Sequence, residues 1–188
     1  MRKKGKTEPM TFARYSVLYH NGCIAKSSIE DLKECGRPEK LGGRYTPETL
    51  NNITMGQLAE LLTAEDQTLE EVLRVIMGLR VSDVMSDPAQ SVHGFMNFVT
   101  LEFQRIGGLF KQLEGGYTAE QIQAGVLQLD TGGIFGTIDW YARRMGITNH
   151  DDVLKVPWLH IWQCAKNDKN VALYERRLNK IMLDNAKK

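Results

Sequence analysis

The stretch of sequence that decides the fold is residues 88–116, PAQSVHGFMNFVTLEFQRIGGLFKQLEGG. Its apolar side chains recur three and four residues apart, the spacing that lines one face of an α-helix. Asp87 and Pro88 suit a helix start, and the double glycine at its end suits a helix stop. The stretch therefore predicts a long helix at the centre of the core, with Gly107 and Gly108 as a kink or a close helix crossing. The apolar stripe consists of Val92, Phe95, Met96, Val99, Phe103, Ile106, Leu109, Phe110 and Leu113.

Helical signals continue on both sides of this stretch. Three segments begin with a capping-box pattern, in which a threonine and a Gln or Glu three residues later satisfy free N–H groups at a helix start. These pairs are Thr54 and Gln57, Thr68 and Glu71, and Thr118 and Gln121. The last of them predicts a helix whose apolar side chains are Ile122, Val126, Leu127 and Leu129. The sequence thus predicts an all-α fold, an irregular multi-helix bundle over residues 51–188.

The end of the chain also has helical spacing. Helices are predicted over residues 134–145, with Gly146 just past the end, and over about 150–155. Val156 and Pro157 precede a tryptophan-rich helix, and a separate last helix is predicted to start near Asp168. The apolar stripe of this last helix is Val171, Tyr174, Leu178 and Ile181.

Residues 1–50 differ from the rest of the chain and are predicted to form a separate region, an extended N-terminal arm followed by a loop. Residues 1–9 are polar and basic, which predicts a flexible arm. The segment YSVLY at residues 15–19 fits either a short strand or a one-turn helix. Five Gly and Pro residues between Gly36 and Pro47 predict a loop without regular structure that becomes ordered on a partner.

Composition and charge restrict the class of protein. The chain has 188 residues, 42% of them hydrophobic and 25% charged, which is typical of one globular domain. No apolar run approaches the roughly 20 residues that span a bilayer, and no apolar stretch follows the charged N-terminus as in a signal peptide. The odd set Cys23, Cys35 and Cys164 suits reduced thiols. A cytoplasmic location is predicted.

Charge is unevenly distributed along the chain. Subtracting Asp and Glu from Lys and Arg gives 10 − 6 = +4 for residues 1–50, 4 − 11 = −7 for residues 51–130 and 10 − 6 = +4 for residues 131–188. One interpretation is that solvated helix faces differ in sign by chance. The other is head-to-tail association, in which the acidic middle meets the basic end of a neighbouring copy or partner.

No catalytic, cofactor or metal motif stands out. His20, Cys23 and Cys35, and separately His160 and Cys164, could ligate zinc, but the tight ligand pairs of structural zinc sites are missing. The glycines at 132, 133 and 136 lack the strand and the Lys-Ser/Thr ending of a phosphate-binding loop. No nucleophile lies in a recognisable signature beside a base. The prediction is therefore a protein that is not an enzyme, without cofactor or metal.

Residues 138–148 resemble the first helix and turn of a helix-turn-helix. This keeps open an alternative function, a DNA-binding regulator that uses residues 138–157 together with Arg143 and Arg144. The second helix, however, would begin Asn149-His150-Asp151-Asp152 and place two carboxylates at the groove. Nucleic acid is therefore the less favoured partner.

Large aromatic and cationic side chains are the candidates for contact with a protein partner. Trp158 and Trp162 are four residues apart and share a helix face, where they form either core or an interface hot spot. The candidate partner-binding residues are Trp158, Trp162, Arg143, Arg144 and, in the glycine-rich loop, Tyr45.

Several features together resemble small helical proteins encoded among bacteriophage tail and virion assembly genes, in particular tail assembly chaperones. They are the capped helices after Thr54 and Thr68, the long middle helix, the helix with Ala124-Gly125, and the ending Val153-Leu154-x-x-Pro157-Trp158 … Tyr174-Glu175-Arg176-Arg177-Leu178. The resemblance covers residues 50–188. It implies a non-enzymatic protein that shields aggregation-prone surfaces of another virion protein. The expected partners are other proteins, with virion or tail components as one class and further copies of the chain as another.

Overall fold

The computed structural model describes residues 9–21, 32, 35–63 and 68–187, and these residues are mostly helical. A π-helical turn, Leu73–Met77, continues the helix Leu69–Val72, and 3-10 turns occur at Val81–Val84 and Val126–Gln128. The predicted predominance of helix is confirmed, and a small two-stranded sheet accompanies the helices. The α-helices of the described residues are Phe12–His20, Met55–Thr63, Leu69–Val72, Ala89–Lys111 (the central helix), Ala119–Gln123, Gly133–Met145, His150–Leu154 and Trp158–Ala186 (the C-terminal helix).

The helix boundaries follow the predicted capping signals. In the first capping box, the Thr54 N–H donates to Gln57 Oε1 at 2.9 Å and the Gln57 N–H donates to Thr54 Oγ1 at 3.1 Å. The boxes at Thr68 and Thr118 are formed in the same way. Gly146 ends the helix Gly133–Met145 with a positive φ of 68°. None of the helices among the described residues combines the length and the apolar character needed to cross a membrane.

The chain divides into two compact units. The first consists of residues 1–50 and 61–104, and the second of residues 51–60 and 105–188. This grouping joins residues 61–104 to residues 1–50, across the boundary that the sequence analysis placed at residue 50. The two units are described separately below.

The first unit is built on the N-terminal part of the central helix, whose Val92, Phe95 and Val99 are buried. The segment around Tyr15, for which strand and helix were both open, is the helix Phe12–His20. Its Thr11 cap accepts a hydrogen bond from the Arg14 N–H. The residue of this helix that is buried is Tyr15, which packs in a cluster with Leu32 and Ala89.

The predicted loop between Gly36 and Pro47 is folded, so the expectation of a segment without regular structure is wrong. Strands Lys40–Leu41 and Arg44–Tyr45 pair antiparallel around Gly42 and Gly43, whose φ values of 55° and 74° suit a tight hairpin turn. Leu41 is buried, and the Gly42 N–H donates to Asp87 Oδ2 at 2.6 Å. The glycines therefore form a turn that a folded hairpin requires.

The central helix makes its closest backbone approach at Gly94. A Cβ atom at this position would clash with the carbonyl oxygen of Gly36. One turn later, Asn97 Nδ2 donates to the carbonyl oxygens of Leu32 at 3.1 Å and Cys35 at 3.3 Å. The helix face formed by Gly94 and Asn97 therefore holds the chain that leads into the hairpin.

The close helix crossing predicted at Gly107 and Gly108 is not found among the described residues. No described atom lies within 4 Å of the position that a Cβ would take at either residue, and both are exposed. Glycine is permissive but does not by itself bring a neighbouring backbone close. The spacing of apolar residues in this helix does not show which of its glycines lies against another part of the chain.

The second unit is organised by the C-terminal helix. Trp158, Ile161 and Trp162 are buried, and Trp162 Nε1 donates to the carbonyl oxygen of Leu109 at 2.9 Å. The helix runs without a break from Trp158 to Ala186, so the predicted separate helix near Asp168 is wrong. No Gly or Pro lies between residues 158 and 186, and an aspartate alone does not end a helix. The buried residues that other helices contribute to this unit are Met55, Leu58, Ile106, Ile138, Tyr141, Ala142 and Val153.

Candidate protein-binding surface

Residues 117–135, here called the apolar segment, depart most from the prediction. The expected helix carrying Ile122 to Leu129 covers only Ala119–Gln123. Gly125 follows with a φ of 85°, and a 3-10 turn at Val126–Gln128 replaces the continuation of the helix. A left-handed glycine is a common helix end, so the glycine inside the predicted apolar stripe breaks it.

The large apolar side chains of this segment lie on the surface. Ile122, Leu127 and Leu129 were predicted to share the apolar stripe of a helix, and the five side chains named below are 42–70% exposed. Single exposed apolar residues are ordinary, but here five large ones occur within one segment of 19 residues, and such concentration is typical of a surface that binds another protein. The exposed residues are Tyr117, Ile122, Leu127, Leu129 and Phe135.

The backbone next to the apolar segment is fixed at both ends. Before it, Lys169 Nζ donates to the carbonyl oxygens of Gln112 at 2.8 Å and Glu114 at 2.9 Å. At its other end, residues 133–135 already belong to the helix Gly133–Met145, and a Cβ at Gly136 would clash with the carbonyl oxygen of Thr131. The exposed side chains therefore project from a segment with anchored ends.

The apolar segment contains a small cavity of about 230 Å³. This volume is below the roughly 300–1,000 Å³ of sites for drug-sized ligands, so it suits a single apolar side chain of a protein partner. The cavity is lined by Gln121, Ala124, Gly125, Val126 and Leu129.

The charge of the apolar segment is negative. It contains Glu120 and Asp130 and no Lys or Arg. The hydrogen bond from its own backbone N–H, followed by one from Thr118, lowers the pKa of Glu120. Its carboxylate is therefore ionised at neutral pH, and the segment favours a partner surface that is apolar and basic.

The predicted tryptophans are placed in the core. Trp158 is fully buried and Trp162 is 8% exposed, so both belong to the core and do not form an exposed interface hot spot. Phe110 and Arg105 lie against the Trp158 ring at 5.9 Å. Tyr45, in contrast, is 69% exposed, and Lys40 Nζ lies 4.3 Å from its ring centroid. Of these three aromatic candidates, only Tyr45 is available at the surface.

The predicted arginines are engaged in ion pairs. Arg144 Nε and Nη2 donate to the two carboxylate oxygens of Asp168 at 2.9 and 3.1 Å, and this hydrogen bonding raises the pKa of Arg144. Arg143 pairs with Asp139 one turn away. The following helix, His150–Leu154, has only five residues and carries two exposed aspartates in its first turn. Negative charge thus occupies the place where a recognition helix would meet phosphate.

A cavity of about 500 Å³ lies in the first unit and is mostly apolar. His93 Nε2 is buried there without a hydrogen-bond partner among the described residues, and burial lowers the pKa of His93. The imidazole is therefore neutral at neutral pH, with the Tyr15 ring edge-on to it at 4.8 Å. Such a cavity suits an uncharged apolar group. Its lining includes Phe12, Tyr15, Leu32, Val92, His93 and Met96.

The cysteine and histidine candidates are dispersed. Cys23 lies outside the described residues, and Cys35 and Cys164 are partly buried. Within residues 9–21, 32, 35–63 and 68–187, no three or more His, Cys, Asp or Glu side chains are grouped to hold a metal ion.

Comparison with known proteins finds no matching family model, no matching curated protein and no matching solved structure. The exposed side chains, their charge and the way the backbone presents them are therefore the basis on which a function can be assigned.

Proposed function

We propose that this chain is a non-enzymatic protein-binding factor that uses the apolar segment to hold another protein during assembly. The observation that carries the proposal is the exposure of five large apolar side chains on a backbone with anchored ends. Burying apolar surface stabilises a complex by roughly 25 cal/mol per Å² before the costs of association. Because the ends of the segment are already fixed, less conformational entropy is lost when a partner covers it.

The chemistry of the segment defines the kind of partner. A surface that is apolar and carries two carboxylates without a cation is complementary to an apolar face flanked by Lys or Arg. The resemblance to phage tail assembly chaperones supports a virion or tail component as that partner, held in the host cytoplasm before it enters the particle. In this role the bundle of helices acts as a scaffold, and the exposed segment shields an aggregation-prone surface.

Binding can be tested with the full chain immobilised and the virion and tail proteins encoded beside its gene supplied one at a time. We expect one of them to be retained. The double variant Leu127→Ser/Leu129→Ser should weaken retention at least about tenfold, since interface anchors typically contribute 1.4 kcal/mol or more. The matched control is Leu101→Ser, because Leu101 is 64% exposed but lies on the central helix.

Equal loss of binding in the variant and the control, or retention of none of the proteins, would contradict the proposal. The competing function has its own signature, which is salt-dependent binding of duplex DNA that Arg143→Ala/Arg144→Ala weakens.

A further inference from the structure

The C-terminal helix has two apolar faces, and the first of them is buried. This face carries Trp158, Ile161 and Trp162. Farther along the same side, Lys169 and Arg176 donate to backbone carbonyls of residues 112–116. This side of the helix therefore contacts the rest of the second unit as far as Arg176, and residues 177–187 beyond it are exposed.

The second face consists of Val171, Tyr174, Leu178 and Ile181, here called the exposed stripe. Because each residue turns about 100° around a helix, the stripe lies roughly 180° from the buried face. Its four side chains are 39–58% exposed. Their spacing of three, four and three residues is that of the a and d positions of a coiled coil, and Asn185 occupies the next a position. The stripe thus has the form of a helix-pairing seam.

We propose that a second copy of this chain covers the exposed stripe from Tyr174 to Ile181, so that residues 173–186 of the two copies form an antiparallel two-helix coiled coil. In this pairing Leu178 lies opposite Ile181 of the second copy, and Tyr174 lies opposite Asn185 of the second copy. The two central layers are then apolar. In the outer layers, a phenol hydroxyl faces an amide, which can hydrogen-bond.

The charges that flank the exposed stripe favour a second copy of the chain as the partner, in the antiparallel orientation. Arg177 and Asp184 flank the exposed stripe on the same side, seven residues apart. In the antiparallel pairing Arg177 faces Asp184 of the second copy, and the twofold symmetry forms this ion pair twice. A parallel pairing would place Arg177 opposite Met182 and form no such pair. The flanking charges are therefore complementary to the same helix in the opposite direction.

The size of the seam sets the strength of the dimer. Fourteen helical residues span about 21 Å, which is two heptads. An interface below roughly 1,200 Å² in total is typical of weak, reversible association. The dimer should therefore be concentration-dependent, with a dissociation constant in roughly the micromolar range.

Sedimentation equilibrium of the full chain, at concentrations from about 1 µM to 1 mM around the expected constant, tests the inference. We expect a reversible monomer–dimer equilibrium that Leu178→Ser/Ile181→Ser weakens at least tenfold. The matched control is Leu183→Ser, because Leu183 is 61% exposed on the same helix but lies off the stripe. Far-UV circular dichroism at the lowest concentration checks that each variant keeps its helix content.

A charge exchange then tests the orientation. Arg177→Asp and Asp184→Arg should each weaken the dimer, and the two together should restore it. The two residues are about 10 Å apart along one helix, so restoration has to come from contact between copies. A chain that is monomeric at every concentration, a control variant as weak as the stripe variant, or a double exchange that fails to restore the dimer would each overturn the inference. It is independent of the proposed function, since Leu127→Ser/Leu129→Ser should leave the dimer intact.

Discussion

Replacing Gly94 by alanine is expected to destabilise the first unit, whereas the same replacement at Gly107 should stabilise the fold. Both glycines lie inside the central helix, Ala89–Lys111. A Cβ at residue 94 would clash with the carbonyl oxygen of Gly36, a backbone atom that cannot rotate away as a side chain can. At residue 107 no described atom lies within 4 Å of the new Cβ.

The magnitude follows from two opposing effects. Alanine in place of glycine inside a helix gains about 0.5–1 kcal/mol, because it restricts the unfolded chain. Overpacking a tight contact typically costs about 1–3 kcal/mol. The helix gain is common to both variants and cancels in their comparison. The free energy of unfolding of Gly94→Ala should therefore lie about 1–3 kcal/mol below that of Gly107→Ala.

Urea unfolding followed by far-UV circular dichroism measures this difference. Circular dichroism is the suitable probe because it reports on helices in both units, whereas the three tryptophans, at 140, 158 and 162, all lie in the second unit and Gly94 lies in the first. In a thermal scan the same difference corresponds to roughly 2–4 °C per kcal/mol for a chain of this size. If Gly94→Ala proved as stable as Gly107→Ala, the packing of residues 35–36 against the central helix would be refuted.

Two further changes test the cores of the two units. Burial lowers the pKa of His93, so the unfolded chain binds a proton that the folded chain does not, and the free energy of unfolding should fall as the pH drops below about 6.5. His93→Gln should reduce this slope between about pH 7.5 and 5.5, and equal slopes would contradict the assignment. Trp162→Phe removes the indole N–H that donates to the Leu109 carbonyl and should cost about 1–3 kcal/mol in urea unfolding. An unchanged midpoint would show that this hydrogen bond contributes little.

Features that depend on neighbours in sequence could be predicted. A capping box requires only two residues three apart, and all three predicted boxes are present, at Thr54, Thr68 and Thr118. The central helix was predicted to span residues 88–113 and spans Ala89–Lys111, because its apolar stripe repeats over six turns. Gly146 ends its helix as expected.

Features that depend on distant residues could not be predicted. The hairpin around Gly42 has strands of two residues, too short to show alternation, and its Gly42 is tied to Asp87, 45 residues away. The close backbone contact at Gly94 is made with Gly36, which is distant in sequence. The spacing of glycines in the helix predicted such a contact at Gly107 instead. The helix carrying Ile122 to Leu129 was predicted from apolar spacing, which describes a helix face but does not reveal what covers it.

The C-terminal helix shows the same ambiguity within a single element. Trp158 and Leu178 both lie on apolar faces of one continuous helix, and one is buried while the other is 39% exposed. Sequence spacing treats the two alike, so exposure and charge must decide their roles. The two exposed apolar surfaces of the second unit differ most in charge, and this difference determines which partner each can accept.

The apolar segment carries Glu120 and Asp130 without a cation, so two copies of it would bring like charges together, and self-pairing is disfavoured. The exposed stripe is flanked by Arg177 and Asp184, one charge of each sign, so it is complementary to itself when reversed. Both surfaces are apolar, but their charges differ, so each surface favours a different partner. In the proposed dimer the stripe would join two copies of the chain and leave the acidic apolar segment of each copy open, so the dimer would present two such segments to a basic, apolar partner.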